Sequence, residues 1–399
     1  MAHRPLRVMI VLPQDPDDPA SGAARSMRTI GRFLHRFADH EVVCLGTTAN
    51  EGGSFSDRSA RRGGRARRRV APVVNREDDS GSTALLDVGD HDQSSWDLDR
   101  DLSAAFDRLV EARACRLAPD VVLTYGGSPA HRRRIGRLRK AGARTVLMLH
   151  NFGYDDARAF EHFDAVWACS PFLATWYGRR HGVEMRPMPL PIEPAEVVAA
   201  EREAVFTTMV NPTPDKGLFV VARLAEMLGS ERPDIPVMIV EARAGAGALV
   251  AAGRKGGFDL TRHGSIMVTP CVAEAREVYA VTRTVLVPSV WEEPAGRVPA
   301  EAMLNGIVPL VSNRGGLSET VGSDRFVVPI DRSITLERRC PVDEAAARPW
   351  FEAVTRLVDD EAAYAEASAA AAAGAARFDA AAVAAVYDEA ATALVEGAG

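Results

Sequence analysis

Short apolar runs alternate with longer segments of helical periodicity along most of the chain. In the first half, the pattern predicts strands at 7–13, 41–45, 120–124, 145–150 and 165–169, and helices around 23–37, 98–117, 131–141 and 171–181. Runs rich in Val, Ile, Leu and Met are typical of parallel strands that are buried on both faces. The first half is therefore predicted to form a doubly wound sheet built from β-α-β units.

A proline-rich stretch at 185–203 interrupts this alternation and predicts a domain boundary, because proline breaks both helices and sheets. The second half repeats the pattern, with strands predicted near 205–210, 235–241, 265–269, 284–288, 308–312 and 326–329, and with alanine-rich helices over 350–396. We expect an α/β protein of two Rossmann-like domains, 1–195 and 203–375, that face each other across a cleft. A C-terminal helix, 376–399, is expected to pack back on the first domain.

Residues 50–96 break the pattern in a different way. They contain few large apolar side chains and many Gly, Ser, Asp and Arg, too little to offset the entropy of ordering. We therefore expect a mobile insertion there. It carries a cluster of arginines that is suited to an anionic membrane surface or to a nucleic acid, with a solvated linker as the alternative: Arg58, Arg61, Arg62, Arg65, Arg67, Arg68 and Arg69.

The composition narrows the classes of protein. The chain has 399 residues, of which 47% are hydrophobic and 26% charged, with a net charge of −6, values typical of a globular protein. The acidic balance disfavours a stable nucleic-acid partner. The five cysteines show no metal-ligand spacing and are expected to be reduced structural thiols. Neither a signal peptide nor a long apolar run is visible, so a cytoplasmic location is expected, with peripheral binding at the inner membrane face as a further option.

The segment from Val287 to Glu319 carries the candidate chemistry. A helix is predicted to begin there at a strand end, where its amides and its positive dipole end attract anions. The residues predicted to bind a diphosphate are Ala295, Gly296, Arg297 and Val298, together with Lys216. One turn into the helix, Glu301 offers a carboxylate that can accept two ribose hydroxyl hydrogens, although a solvated helix glutamate gives the same pattern.

The order of motifs in this segment resembles that of the retaining glycosyltransferases of family 4, which have the GT-B fold. The matching positions are Pro288-Ser289, then Glu293 and Glu301 in a Glu-x7-Glu spacing, then Gly315-Gly316-x-x-Glu319. The resemblance implies that the first domain is the acceptor side and that the second binds the nucleotide sugar. It also implies that Glu293 contacts the donor sugar near its reacting carbon, and only the family register favours Glu293 over its neighbour Glu292.

Three further positions match this family. Lys216 stands at its phosphate-contacting lysine, although Asn211 replaces an arginine that many members carry five residues earlier. Gly22 opens a helix after the first strand, where backbone amides can approach a ligand, and Arg25 follows as a possible phosphate or acceptor contact or a solvated helix arginine. His150 ends an apolar strand, and the matching histidine in the family lies beside the donor sugar.

The implied function is retaining transfer of a sugar from a nucleotide diphosphate sugar to a hydroxyl acceptor, without a metal or cofactor. In the implied mechanism, the departing diphosphate assists deprotonation of the acceptor while His150 and Glu293 orient the sugar. Two alternatives remain at this point: a catalytically silent scaffold with the same fold, or a binder of nucleic acid or anionic membrane through the arginine cluster. An NAD site is disfavoured, because the glycine pattern that begins at Gly245 has Val250 at its third glycine position.

Overall fold

The chain divides into two compact units in the computed structural model, one formed by Met1–Pro191 with Ala380–Gly399 and the other by Ile192–Asp379. The structure describes residues 4–18, 21–49, 72–78, 81–88, 98–241, 247–270, 272 and 274–397. The arginine cluster of residues 58–69 lies outside the described residues.

A single sheet forms the centre of the first unit. Its described strands are β1 (Arg7–Val11), β2 (Glu41–Thr47), β3 (Val73–Asp78), β4 (Gly81–Leu86), β5 (Val121–Thr124), β6 (Arg144–Leu149), β7 (Ala165–Ala168) and β8 (Arg186–Pro187). They lie in the order β3-β4-β2-β1-β5-β6-β7-β8, and β3 pairs antiparallel with β4 whereas the other pairs are parallel. The chain therefore leaves β1 toward β2 and later returns to its other side at β5, so the strand order reverses there.

Helices accompany this sheet at α1 (Gly22–Ala38), α2 (Arg100–Leu117), α3 (Pro129–Lys140), α4 (Pro171–His181) and, from the end of the chain, α13 (Ala380–Glu396). Ser21 caps α1, because its hydroxyl accepts a hydrogen bond from the amide of Ala24 at 3.3 Å. The last helix contacts α1, and the buried Tyr387 hydroxyl donates to the Pro189 carbonyl at 3.0 Å. Helix α13 therefore belongs to the first unit and buries one face there, including Val383 and Tyr387.

Two strands of this sheet fall inside the stretch 50–96, where the composition predicts no ordered element. Strand β4 pairs with β2 and buries Ala84, Leu85 and Leu86, and β3 completes an antiparallel hairpin with it. The stretch 50–96 is polar on average, so its composition does not indicate the short apolar run at 84–86. The prediction of an insertion without regular structure is therefore wrong for 73–78 and 81–86.

The second unit contains a parallel sheet formed by β9 (Phe206–Val210), β10 (Val237–Val240), β11 (Ile266–Thr269), β12 (Thr282–Val287) and β13 (Val308–Val311), in the order β11-β10-β9-β12-β13. The order reverses between β9 and β12. In open doubly wound sheets, ligands bind at the carboxyl ends of the strands beside such a reversal. The loops that follow β9 and β12 are therefore the first place to look for a site.

The helices of this unit are α5 (Pro194–Val197), α6 (Leu218–Glu231), α7 (Gly247–Lys255), α8 (Ala275–Val281), α9 (Arg297–Leu304), α10 (Leu317–Val321), α11 (Glu344–Asp359) and α12 (Glu361–Gly374). The strand predicted at 326–329 is wrong: a 3₁₀ turn covers Asp324–Phe326, and only one bridge joins Val327 to Val311. The region Glu361–Glu396 is long and apolar enough by composition to cross a membrane, a property that core helices share.

Candidate functional site

Three loops of the second unit meet at the carboxyl ends of β9, β12 and β13. The amide of Val290 donates to the Asp215 carbonyl at 3.0 Å, which joins the first loop to the second. Gly217 is so close to the second loop that a Cβ there would lie 2.1 Å from the Pro288 carbonyl oxygen, and its φ of +92° also favours glycine. The amide of Ser312 donates to Val287 at 3.0 Å. The three loops therefore form one connected structure at the predicted position.

The Glu293 carboxylate contacts two side chains of these loops. It accepts hydrogen bonds from the Lys216 ammonium at 2.6 and 2.8 Å and from the Ser289 hydroxyl at 2.5 Å. The Glu293 side chain is 7% exposed and that of Lys216 is 31% exposed, so the pair is only partly shielded from water. The predicted sugar-contacting carboxylate and the predicted phosphate-contacting lysine thus lie together.

Glu292, the alternative to Glu293, has a different environment. One of its carboxylate oxygens accepts from the Gly315 amide at 2.6 Å, and the other accepts from the exposed Arg332 guanidinium at 3.0 Å. Glu292 therefore fixes the glycine loop after β13, whereas the Glu293 carboxylate faces the lysine. This difference favours Glu293 as the residue of the site.

The start of α9 differs in one detail from the prediction. The amide of Gly296 donates to the Thr320 hydroxyl at 3.0 Å, so this amide already has a protein partner and is not available to an anion. Helix α9 begins at Arg297 without a side-chain cap. Because Pro299 carries no N–H, an anion at this end would meet the amides of Arg297 and Val298, beside the loop residue Ala295.

Glu301 is buried rather than solvated, with 3% of its surface exposed. The Tyr279 hydroxyl donates to one carboxylate oxygen at 2.8 Å, and the Arg297 Nε lies 2.8 Å from the other. The alternative of a solvated helix glutamate is therefore wrong. The carboxylate holds Arg297 at the start of α9 and keeps further lone pairs that can accept ligand hydroxyls.

Asn211, which stands where many family members carry an arginine, adopts the left-handed backbone region with φ of +61°. Asparagine enters this region more readily than most residues. Two turns follow directly after Asn211. In the first, the amide of Thr213 donates to the Asn211 carbonyl at 2.8 Å, and in the second, the amide of Lys216 donates to the Thr213 carbonyl at 3.1 Å. Asn211 therefore shapes the loop that carries Lys216.

The candidates in the first unit lie at the carboxyl edge of its sheet. Gly22 is exposed and is the first residue of α1, and Arg25 is half-buried one turn later. His150 directly follows β6, and its ring packs edge-on against Tyr125 with centroids 5.8 Å apart. These positions follow β1 and β6, the strands on either side of β5.

A buried histidine, His131, lies next to this edge and is not among the site residues predicted from the sequence. The Thr124 hydroxyl lies 2.5 Å from the Val11 carbonyl oxygen and 2.7 Å from the His131 Nε2, so the buried imidazole is hydrogen-bonded to Thr124. Burial, with a further contribution from the Arg134 charge, lowers the pKa of His131 to about 3. Nothing in the local sequence distinguishes this histidine from the others, because its burial depends on packing.

Stability should therefore depend on pH through His131. The unfolded chain binds a proton below about 6.5, whereas the folded chain does so only near 3, so the free energy of unfolding should fall as the pH falls through this range. Replacing His131 by Phe should reduce that slope by about 1.4 kcal/mol per pH unit between about pH 6 and about pH 4. Urea unfolding at several pH values measures it. The exposed His162→Gln variant is the control, and equal slopes for both variants would contradict the assignment.

No three His, Cys, Asp or Glu side chains come together to hold a metal ion among the described residues. Of the cysteines that the structure describes, Cys44 and Cys169 are buried, Cys115 and Cys340 are exposed, and all four are free thiols. The expectation of structural thiols therefore fits the buried pair better than the exposed pair.

No profile of a protein family matches the chain, and no curated protein matches it either. Several solved structures do match the chain. Sucrose-phosphate synthase from Thermosynechococcus elongatus is 16% identical with a TM-score of 0.71, and the match covers 98% of this chain and 100% of that one. A glycosyltransferase from Rickettsia africae is 12% identical with a TM-score of 0.68, and the match covers 98% and 99%.

HepE from Anabaena in complex with UDP and glucose is 15% identical with a TM-score of 0.64, and the match covers 97% of this chain and 99% of that one. The catalytic domain of starch synthase IV from Arabidopsis thaliana, bound to ADP and acarbose, is 13% identical with a TM-score of 0.64, and the match covers 98% and 100%. These likenesses confirm the predicted fold, two Rossmann-like domains of the GT-B type.

Proposed function

We propose that the protein is a retaining glycosyltransferase that moves a sugar from a nucleotide diphosphate donor to an acceptor hydroxyl. The observation that carries the proposal is the Lys216–Glu293 pair beside the strand reversal, with Ser289 holding the same carboxylate. A cation and a carboxylate at one position suit the two ends of a sugar diphosphate. Solved structures of the same fold with bound UDP or ADP support a nucleotide donor.

Different residues around the pair are proposed to bind different parts of the donor. Lys216, Arg297 and the start of α9 bind the diphosphate and stabilise the negative charge that develops on it as the bond to the sugar breaks. Glu301 accepts hydrogen bonds from the ribose hydroxyls and holds Arg297 in place. Protein cations and amides supply this charge stabilisation, so the proposed mechanism uses no metal and no cofactor.

Glu293 is proposed to orient the donor sugar through its hydroxyls while the acceptor attacks on the face that the leaving group vacates. The departing diphosphate takes the proton from the acceptor hydroxyl, which keeps the anomeric configuration. In the first unit, His150 is proposed to contact the donor sugar, Gly22 to approach the donor with its backbone, and Arg25 to contact phosphate or acceptor. The remainder of that edge is proposed to hold the acceptor.

Nucleoside diphosphate binding tests the donor site directly. We expect UDP, GDP or ADP to bind without magnesium and to raise the melting temperature by mass action. Lys216→Met should weaken the nucleotide that binds best by about tenfold or more, because a charge-assisted hydrogen bond contributes about 1.5–3 kcal/mol. Titration calorimetry measures both effects, with the exposed lysine variant Lys140→Met as the control. Absence of binding by all three nucleotides, with and without magnesium, would reject the donor site.

Replacing Glu301 should also weaken the nucleotide. Glu301→Gln keeps an acceptor for the Tyr279 hydroxyl but removes the charge opposite Arg297, so nucleotide affinity should fall by about tenfold. Tyr279→Phe removes only the hydroxyl and should change affinity less. If Tyr279→Phe weakens nucleotide binding as much as Glu301→Gln, the loss of affinity does not come from a ribose contact of Glu301. Glu301 would then act through the packing of this region.

A further inference from the structure

Helix α4 of the first unit has a groove on its outer face that the proposed donor chemistry does not use. The groove has a volume of about 340 Å³ and is lined by Phe172, Thr175, Trp176, Arg179 and Arg180. These residues recur every three to four positions, so they form one stripe along the helix. We call this feature the α4 groove.

One end of the α4 groove lies at the edge of the sheet where ligands bind. Phe172 is the second residue of α4, which begins after the carboxyl end of β7. The Phe152 ring contacts two of the lining side chains, with its centroid 4.9 Å from that of Trp176 and 6.3 Å from that of Phe172. Phe152 comes two residues after His150, so the loop that carries this candidate catalytic residue packs against two aromatic side chains of the groove.

The groove rests on a rigid base. The Tyr177 hydroxyl donates to the Asn151 carbonyl at 3.0 Å and accepts from the Tyr154 amide at 3.1 Å. The rings of Tyr177 and Trp176 meet edge to face at 4.7 Å. Hydrogen bonds and ring contacts therefore fix the aromatic floor before any ligand arrives, which lowers the entropy lost on binding.

The far half of the groove is cationic. The guanidinium of Arg180 lies 5.2 Å from the centroid of the Trp176 ring, and its Nη2 is 3.5 Å from an Asp155 oxygen whose side chain is 80% exposed. Arg179 is exposed one position earlier and forms no ion pair among the described residues. Two guanidinium groups beside an aromatic floor suit a phosphate or a carboxylate, which they bind through paired hydrogen bonds.

The concave shape of the α4 groove favours a single sugar ring, and not a lipid bilayer, as its ligand. Phe172 and Trp176 are half-buried and line a concavity, and neither is among the exposed large apolar side chains. A helix that docks on a membrane instead inserts protruding apolar side chains into the interface. The volume is at the small end of the range of about 300–1,000 Å³ for small-molecule pockets, which suits a single sugar ring.

We propose that the α4 groove is an acceptor subsite for a sugar ring that carries a phosphate or a carboxylate. The aromatic side chains contact the apolar face of the ring, and Arg179 and Arg180 bind the anionic group. This inference rests on the proposed function, because it names the class of acceptor for the proposed transfer.

Binding of simple saccharides to the full-length protein, without any donor, tests the inference. The probes are glucose 6-phosphate and methyl glucuronide as acidic sugars, methyl glucoside as the neutral sugar, and inorganic phosphate as the bare anion. Saturation-transfer NMR and titration calorimetry should show saturable binding of an acidic sugar, with at least tenfold weaker binding of the neutral sugar and of phosphate. Equal binding of neutral and acidic sugars, or of phosphate alone, would overturn the proposal.

The double variant Arg179→Gln/Arg180→Gln should weaken the acidic sugar at least tenfold and leave the melting temperature nearly unchanged, because both side chains lie on the surface. The control is Arg100→Gln/Arg108→Gln, which removes two exposed arginines from α2 of the same unit and should leave sugar binding intact. Trp176→Leu should weaken acidic and neutral sugars alike. An unaltered acidic-sugar affinity in the first double variant would overturn the proposal.

Two further measurements distinguish a membrane contact from a sugar subsite, and a failure of the donor site from a failure of the α4 groove. Vesicles of phosphatidylserine that bind the wild type but not Arg179→Gln/Arg180→Gln, with no sugar binding, would make the groove a membrane contact and overturn the subsite. Nucleotide binding to the second unit is measured separately. Loss of the donor site with acidic-sugar binding intact would reject the proposed transfer and not the groove, whereas the reverse result would reject only the groove.

Discussion

Glu293→Gln should lower the rate of sugar transfer by about two to three orders of magnitude while nucleotide affinity stays within a few-fold of wild type. Glutamine has nearly the same shape and can still accept hydrogen bonds from Lys216 and Ser289, so the loop should keep its structure. It cannot supply the negative charge that a sugar-orienting carboxylate offers as positive charge develops on the reacting carbon. Turnover with a nucleotide sugar, including its slow hydrolysis when no acceptor is present, measures the loss.

Glu292→Gln is the matched control, because it makes the same change at the adjacent position. Its amide oxygen can still accept from the Gly315 amide, and the exposed pair with Arg332 contributes little. We expect it to retain turnover within a few-fold. If Glu292→Gln loses turnover and Glu293→Gln does not, the register of the motif is shifted by one residue. If neither variant changes turnover, the Lys216–Glu293 pair has a structural role only.

The strands of both units could be predicted because a parallel strand buried on two faces leaves a continuous apolar run. Strand β10 and the last four residues of β6 are examples, since 237–240 and 146–149 are uninterrupted apolar segments of the sequence. The hairpin of β3 and β4 could not, because β3 is exposed and depends on β4 for its pairing. The opposite error occurred at 326–329, where an apolar run packs in the core without joining the sheet beyond one bridge.

The motif of the site could be predicted, but not its internal contacts. Lys216 and Glu293 lie 77 residues apart, and only the folded loops show that they form an ion pair. Tyr279 looks like an ordinary core residue of α8, yet its hydroxyl satisfies the buried Glu301 carboxylate. The sequence predicts that the Gly296 amide binds an anion, but in the structure this amide donates to the Thr320 hydroxyl of α10. These hydrogen-bond partners are far apart in the sequence, so no local sequence pattern predicts their contacts.

The glycine pair of the motif has a structural reason that its spacing alone does not show. Gly315 forms a parallel bridge with Glu293, and the amide of Gly316 donates to the Glu293 carbonyl at 2.8 Å. A Cβ on Gly315 would lie 2.2 Å from the Glu293 carbonyl oxygen and 2.4 Å from its nitrogen. The backbone of the candidate catalytic residue is thus in direct contact with a position that has no room for a side chain.

Gly315→Ala should therefore lower both stability and activity. The φ of +63° costs an alanine about 1–2 kcal/mol, and the contact with Glu293 forces the backbone apart at a further cost of about 1–3 kcal/mol. We expect the melting temperature to fall by roughly 10 °C and turnover to be lost, because Glu293 moves away from Lys216. The matched control is Gly257→Ala in the same unit, which has a φ of +82° but nothing within 4 Å of the added Cβ. It carries the backbone cost alone, so a smaller shift with full activity is expected. Equal shifts for the two variants would show that contact with Glu293 is not what requires glycine at position 315.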